Sequence, residues 1–170
     1  MTGTIDVLDM GRLLSFSIDE MLNYSGPGSP GGVAQAFKML ERALPLLDPA
    51  GPPQRRQLFV RTAFAGPGAR DAIELVTRAA TEDRYVVDPA LGLAQRGPTL
   101  EPFVFRIAYR EAVVTLAVCE GIVSDEFVAL ARNEGRSPSQ EERLDRLKLE
   151  MFDQVMGLPA EQVYDVIEAA

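Results

Sequence analysis

Two clusters of glycine and proline, "SGPGSPGG" over 25–32 and "DPAGPP" over 48–53, bracket an apolar run with the period of a helix. Clustered proline and glycine end helices and strands. The run between them must therefore form one bounded element with an apolar stripe to bury. Val33, Phe37, Leu40, Leu44 and Leu47 recur at helical spacing, with Lys38, Glu41 and Arg42 lying between them. Pro45 is expected to limit or bend the last turn.

The same punctuation divides the rest of the chain. Ser17 and Glu20 form a capping-box pattern opening a short helix in "SIDEMLNY", with Phe16 and Met21 placed as a hydrophobic staple. "RQLFVRTAF" reads as a strand and "AGPG" breaks it. "ARDAIELVTRAATED" follows as a helix with Ala72, Ile73, Val76 and Ala80 inward, and "RYVVD" as a short strand. "PFVFRIAYREAVVTLAV" predicts a hairpin turning around Tyr109–Ala112. "SDEFVALARNEG" predicts a helix capped by Ser124 and ended by Gly135. Beyond Arg136 the chain becomes charge-dense, with Leu144, Leu147, Met151, Phe152 and Val155 along one stripe, and "LPAEQVYDVIEAA" is expected as a last helix. The expected organisation is an α+β domain over 1–136 and a C-terminal helical extension over 137–170.

Composition removes several kinds of chemistry. With 0 histidines there is no Ser-His-Asp or Cys-His catalysis and no imidazole metal ligand. A single cysteine, Cys119, leaves no intrachain disulfide and no multi-thiolate metal site; on an apolar strand it reads as an inert buried thiol. The formal charge of −8 disfavours nucleic acid and anionic membrane surfaces. An acid-bearing N-terminus and the lack of an apolar run of roughly 20 residues predict a soluble, cytoplasmic chain.

Two loops share one layout, "SGPGSPGG" before the helix at Val33 and "FAGPGARDAI" before the helix at Asp71. Glycines at a helix start leave backbone N–H groups open, the physical basis for binding a carboxylate, phosphate or other oxyanion. Neither loop is a Walker motif or a dinucleotide fingerprint, and two sharp turns with Ser29 as a cap is the plainer reading. The binding reading places Ser25, Gly26, Gly28, Ser29, Gly31, Gly32, Gly66, Gly68 and Arg70 around one small pocket. It expects positive φ at Gly26, Gly28, Gly66 and Gly68. Asp71 reads as a favourable charge at its helix start, Tyr24 as a buried aromatic, and Arg55 and Arg56 as solvated.

"FSIDEMLNYSGPGSPGGVAQAFKMLERAL" followed by "RDAIELVTRAAT" and a late hairpin resembles the E-subunit family of formylmethanofuran dehydrogenase. That family carries F-H-G-H-x-C-P-G-x-x-x-G into a long helix and then a C-x-x-D-A-I-Q-x-x-T-G-C-T segment. The resemblance spans about residues 16 to 130 and is strongest at Gly26, Pro30 and Gly31, then at Asp71, Ala72, Ile73 and Thr77. The family's histidines fall on Ser25 and Pro27 and its cysteine on Ser29; in the second motif its cysteine falls on Gly68, and Gly-Cys on Arg78 and Ala79. These replacements cannot hold a soft metal, so the family's metal chemistry does not carry over. The zinc ribbon of some relatives is likewise replaced by the charged tail.

The resemblance implies an α-β-α-β-β-β core with a mixed sheet, helices packed on it, and both glycine loops on one side. With the family's metal ligands replaced and no histidine present, the expectation is a binding or accessory protein with no metal and no cofactor, acting beside a formyl- or formate-type oxidoreductase. The stripe from Leu144 to Val155 adds the expectation of a homodimer. An enzyme of one-carbon or formyl metabolism using the same cleft, and a purely structural dimer, are the alternatives.

Overall fold

A computed structural model describes residues 3–170. The chain opens with a hairpin, β1 (Ile5–Asp9) and β2 (Arg12–Phe16), forming a two-stranded sheet. Helices α1 (Ile18–Ser25) and α2 (Pro30–Leu47) lead to β3 (Leu58–Thr62), α3 (Pro67–Thr77) and β4 (Tyr85–Val87). A second hairpin follows, β5 (Val104–Tyr109) and β6 (Ala112–Val118), then α4 (Asp125–Arg132), α5 (Pro138–Met156) and β7 (Tyr164–Ala169). The five-stranded sheet runs β4-β3-β5-β6-β7, with β3 and β4 parallel and every other pair antiparallel. This is an α+β fold with a mixed sheet, and α2 through β6 give the expected α-β-α-β-β-β order.

Strand alternation sets the layers. Leu58, Val60, Phe105, Ile107, Leu116 and Val118 are buried on the helix-covered face, whereas Phe59 and Arg61 point to solvent. Each buried aliphatic or aromatic side chain contributes about 1.5–3 kcal/mol relative to exposure. Helix α2 is the centre of the packing, and its burial runs beyond the predicted stripe. Ala34, Ala36, Met39 and Ala43 are fully enclosed, as is Gln35, because α3, α5 and the sheet cover it from different sides. Lys38, placed by its sequence among the outward residues, is buried as well and pairs with Glu41 at 3.0 Å. Pro45 does not end the helix, which continues to Leu47.

Caps set the helix boundaries. Ser17 and Glu20 exchange both bonds of a capping box at α1, and Ser124 caps α4, which stops at Arg132 before Gly135. Ser137 and Gln140 form a second capping box at α5.

Three readings are corrected. The segment "DVLDMGRLLSF", not assigned to any element in the sequence, is a hairpin. The last helix expected over 158–170 is a single 3-10 turn followed by β7, which pairs with β6 through a register shift at Thr115 and Leu116. β-branched Val163, Val166 and Ile167 and aromatic Tyr164 suit a strand, and the free edge of β6 decides it. Arg55 is not solvated, being only 7% exposed. Its Nε donates to Val76 O at 2.9 Å and its Nη2 to Leu75 O at 2.6 Å. Arg84 adds Nη2 to Thr77 O at 3.0 Å. Two buried guanidinium groups thus satisfy the last carbonyls of α3, where the helix dipole favours cations.

The stripe on α5 also meets its own chain. Leu144, Leu147, Met151 and Val155 are buried, with α5 packed along α2. Of that stripe only Phe152 stays partly exposed.

Candidate functional site

The two glycine loops meet. A Cβ added to Gly32 would lie 3.2 Å from Ala69 N and 3.4 Å from Gly68 Cα. One added to Gly68 would overlap the backbone oxygen of Ser29. Side chains on these glycines would force the starts of α2 and α3 apart, so close approach explains their presence directly. On its other flank α2 meets α5, where a Cβ on Gly31 would stand 2.9 Å from Met151 Sδ. The opening of α2 is a junction at which three helices converge on residues too small to separate them.

The residues expected at the pocket divide accordingly. Ser25 Oγ donates to Asp71 Oδ2 at 2.9 Å, joining the end of α1 to α3 just past its first turn. Gly26 adopts φ +83° and closes α1, its N–H donating to Leu22 O at 2.8 Å. It alone of the four glycines expected at positive φ has it; Gly66 has φ −65°. Ser29 stands at the N-cap of α2, but its side chain makes no capping bond, and its carbonyl accepts from Val33 N at 3.1 Å. Gly66 precedes α3 and packs against the Phe64 ring. Arg70 extends outward with its side chain 59% exposed, 3.9 Å from Asp71. Tyr24 is exposed, contrary to expectation.

Both helices begin with proline, so the first-turn N–H groups without a helical partner are those of Gly31 and Gly32 in α2 and of Gly68 and Ala69 in α3, of which only Gly32 is not buried. A cation missed by sequence reasoning lies at this junction. Lys148 of α5 donates from Nζ to Gly28 O at 3.0 Å. It lies 120 positions from that loop, and the charge run around it gave no signal of the contact. Beside the first loop opens a groove of about 560 Å³, with Leu22, Pro27, Pro30, Leu149 and Phe152 as its apolar walls. Of the nine residues expected at the pocket, only Gly26 lines this groove. Gly66, Gly68 and Arg70 lie off it, on the α3 side.

Chemistry elsewhere is subdued. Burial, and after it the Asp165 carboxylate, push the Cys119 thiol up to about 11, so it is protonated at neutral pH. Burial likewise raises Tyr85 to about 12. Among the described residues, no group of three or more His, Cys, Asp or Glu side chains converges to hold a metal ion. No helix among them is long and apolar enough to cross a membrane. The chain matches no protein-family model and no curated protein sequence.

Proposed function

We propose that this chain is a metal-free, non-catalytic binding or accessory protein that holds a small anion at the start of α2. The observation that carries the reading is Lys148 Nζ on the Gly28 carbonyl at 3.0 Å, in the loop that leads into the unpaired N–H groups of Gly31 and Gly32. A cation next to unpaired helix-start donors attracts a carboxylate or oxyanion through both charge and hydrogen bonds. Asp71 supplies negative charge on the α3 side, where Ser25 holds it. The proposed ligand therefore sits on the Lys148 side, with Ser29 next to it and Arg70 acting only from a distance.

The resemblance to the E-subunit family of formylmethanofuran dehydrogenase makes formate, or a formyl compound bearing a carboxylate, the first ligand to try. It also makes a formyl- or formate-type oxidoreductase the proposed partner. Association with that partner or a second copy is proposed to use Leu149, 57% exposed, and the partly buried Phe152 beside the groove. Thermal unfolding in formate, sulfate and chloride at matched ionic strength tests the reading. Formate or sulfate is expected to raise Tm saturably above chloride, and Lys148→Gln to remove that rise while leaving the anion-free Tm within a few degrees. An equal response to all three salts would refute it.

A further inference from the structure

A second groove lies on the opposite end of α2, where that helix, β1 and the proline-rich exit loop come together. Its cavity is about 330 Å³, at the lower end of the roughly 300–1,000 Å³ typical of binding sites. Ile5, Leu40 and Leu44 form an apolar floor, and Pro45, Pro52 and Pro53 supply walls of restricted backbone freedom. Three carboxylates, Asp6, Glu41 and Asp48, complete the lining, which contains no Lys or Arg side chain.

Hydrogen-bonding capacity here is biased toward acceptors. Asp6 Oδ1 accepts from Thr4 at 2.7 Å and Asp48 Oδ1 from Ala50 N at 3.2 Å. Glu41 Oε2 is paired with Lys38, whose side chain is 8% exposed. Each carboxylate keeps a second oxygen outside these bonds. Pro45 lacks an N–H, so the Glu41 carbonyl loses its helical donor. The occupant that fits must bring donors and positive charge on an aliphatic stem.

The edge of β1 selects among such occupants. Leu8 N–H donates to Pro53 O at 2.8 Å, on the side of β1 away from β2. Two-residue alternation places the N–H and C=O of Asp6 on that same edge. Pro52 and Pro53 have no N–H to offer there, and among the described residues no partner beyond the hairpin engages either group. A strand edge bridged to Gln54 at Leu8 but unpaired at Asp6, beside an acceptor-rich groove, suits an extended chain better than a free amine.

We propose that this groove docks an extended segment of a partner protein, paired with the β1 edge at Asp6. A Lys or Arg side chain of that segment lies along Leu40 and Leu44, with its cation among Asp6, Glu41 and Asp48. The main chain supplies edge pairing, the aliphatic stem covers the apolar floor, and the charged end meets the carboxylates. This surface is separate from the anion site, so neither reading depends on the other.

The test titrates the full chain with acetyl-Val-Lys-Val-Lys-Val-amide, the same peptide carrying Glu in place of Lys, and spermidine, followed by amide NMR. The lysine peptide is expected to bind saturably and shift Asp6, Leu40 and Leu44. Its affinity should fall about tenfold as salt rises from about 0.05 to about 0.3 M. The near-isosteric Asp6→Asn, Glu41→Gln, Asp48→Asn variant should weaken it at least tenfold, and the glutamate peptide should leave those amides unmoved. Equal response to both peptides, no response to the lysine peptide, or shifts confined elsewhere would overturn the proposal. Spermidine shifting the groove while the lysine peptide does not would also overturn it. The salt series and shift map use the unaltered protein, so a variant that folds poorly does not decide the outcome.

Discussion

Gly68 has no room for a methyl group, because the position a Cβ would take is occupied by Ser29. The obstacle is backbone, which cannot rotate away. Gly68→Ala is therefore expected to destabilise the fold by about 1–3 kcal/mol, the range for overpacking. Gly31→Ala meets the sulfur of Met151, the flexible end of a side chain, and is expected to be the milder change. Urea unfolding of the two variants checks the order; Gly31→Ala proving the worse would contradict the junction described. A second residue-scale test concerns Tyr164, fully buried, whose hydroxyl donates to Gln35 Oε1 at 2.6 Å. Tyr164→Phe leaves that buried oxygen without its donor and is expected to cost about 1–3 kcal/mol. A midpoint unchanged in the same assay would show that Gln35 finds another partner.

At the scale of elements, the C-terminus of α3 illustrates what local reading cannot reach. "GPPQRRQ" looks like a solvated basic turn, and nothing beside Arg55 announces the carbonyls of Leu75 and Val76. Asp9 of the first hairpin completes the arrangement, meeting Arg56 Nε at 2.9 Å and Arg55 Nη1 at 3.3 Å. The hydrogen bond from Arg56 is the main reason the Asp9 carboxyl titrates below its ordinary value of 3.8. A carboxyl depressed in the folded state stabilises the fold above its unfolded pKa and loses that contribution as pH falls through the folded value. Acid unfolding should accordingly lose less stability below pH about 4 in Asp9→Asn than in the parent. Equal acid sensitivity would mean the pair is fully screened. Arg84→Met removes the donor to Leu58 O, at 2.5 Å, and to Thr77 O, leaving buried carbonyls open. A loss of about 3–5 kcal/mol is expected, the range for dismantling a buried charged network. Thermal unfolding of the variant reads it, and a loss below about 1 kcal/mol would assign the caps to water instead.

For the molecule as a whole, the central order α-β-α-β-β-β was legible because glycine and proline separate its elements and each carries one clear period. The Tyr109–Ala112 turn and the Ser17 and Ser124 caps were legible for the same local reasons. What escaped depended on distant partners. "YDVIEA" becomes a strand because β6 leaves an edge beside it, and the first hairpin leans on the exit loop through Leu8 and Pro53. The candidate site shows the same split. Two glycine loops could be recognised and are in contact, yet Lys148 and Phe152 reach the first loop from a helix more than a hundred positions away. Central to the proposed function is a helix junction that leaves the start of α2 able to hold an anion on the Lys148 side. Amide NMR of the whole chain during a sulfate titration tests this most directly. Saturable shifts centred on Gly28, Gly31 and Gly32 are predicted, lost in Lys148→Gln while the remaining spectrum is preserved. Shifts absent from these amides, or unchanged in the variant, would contradict it.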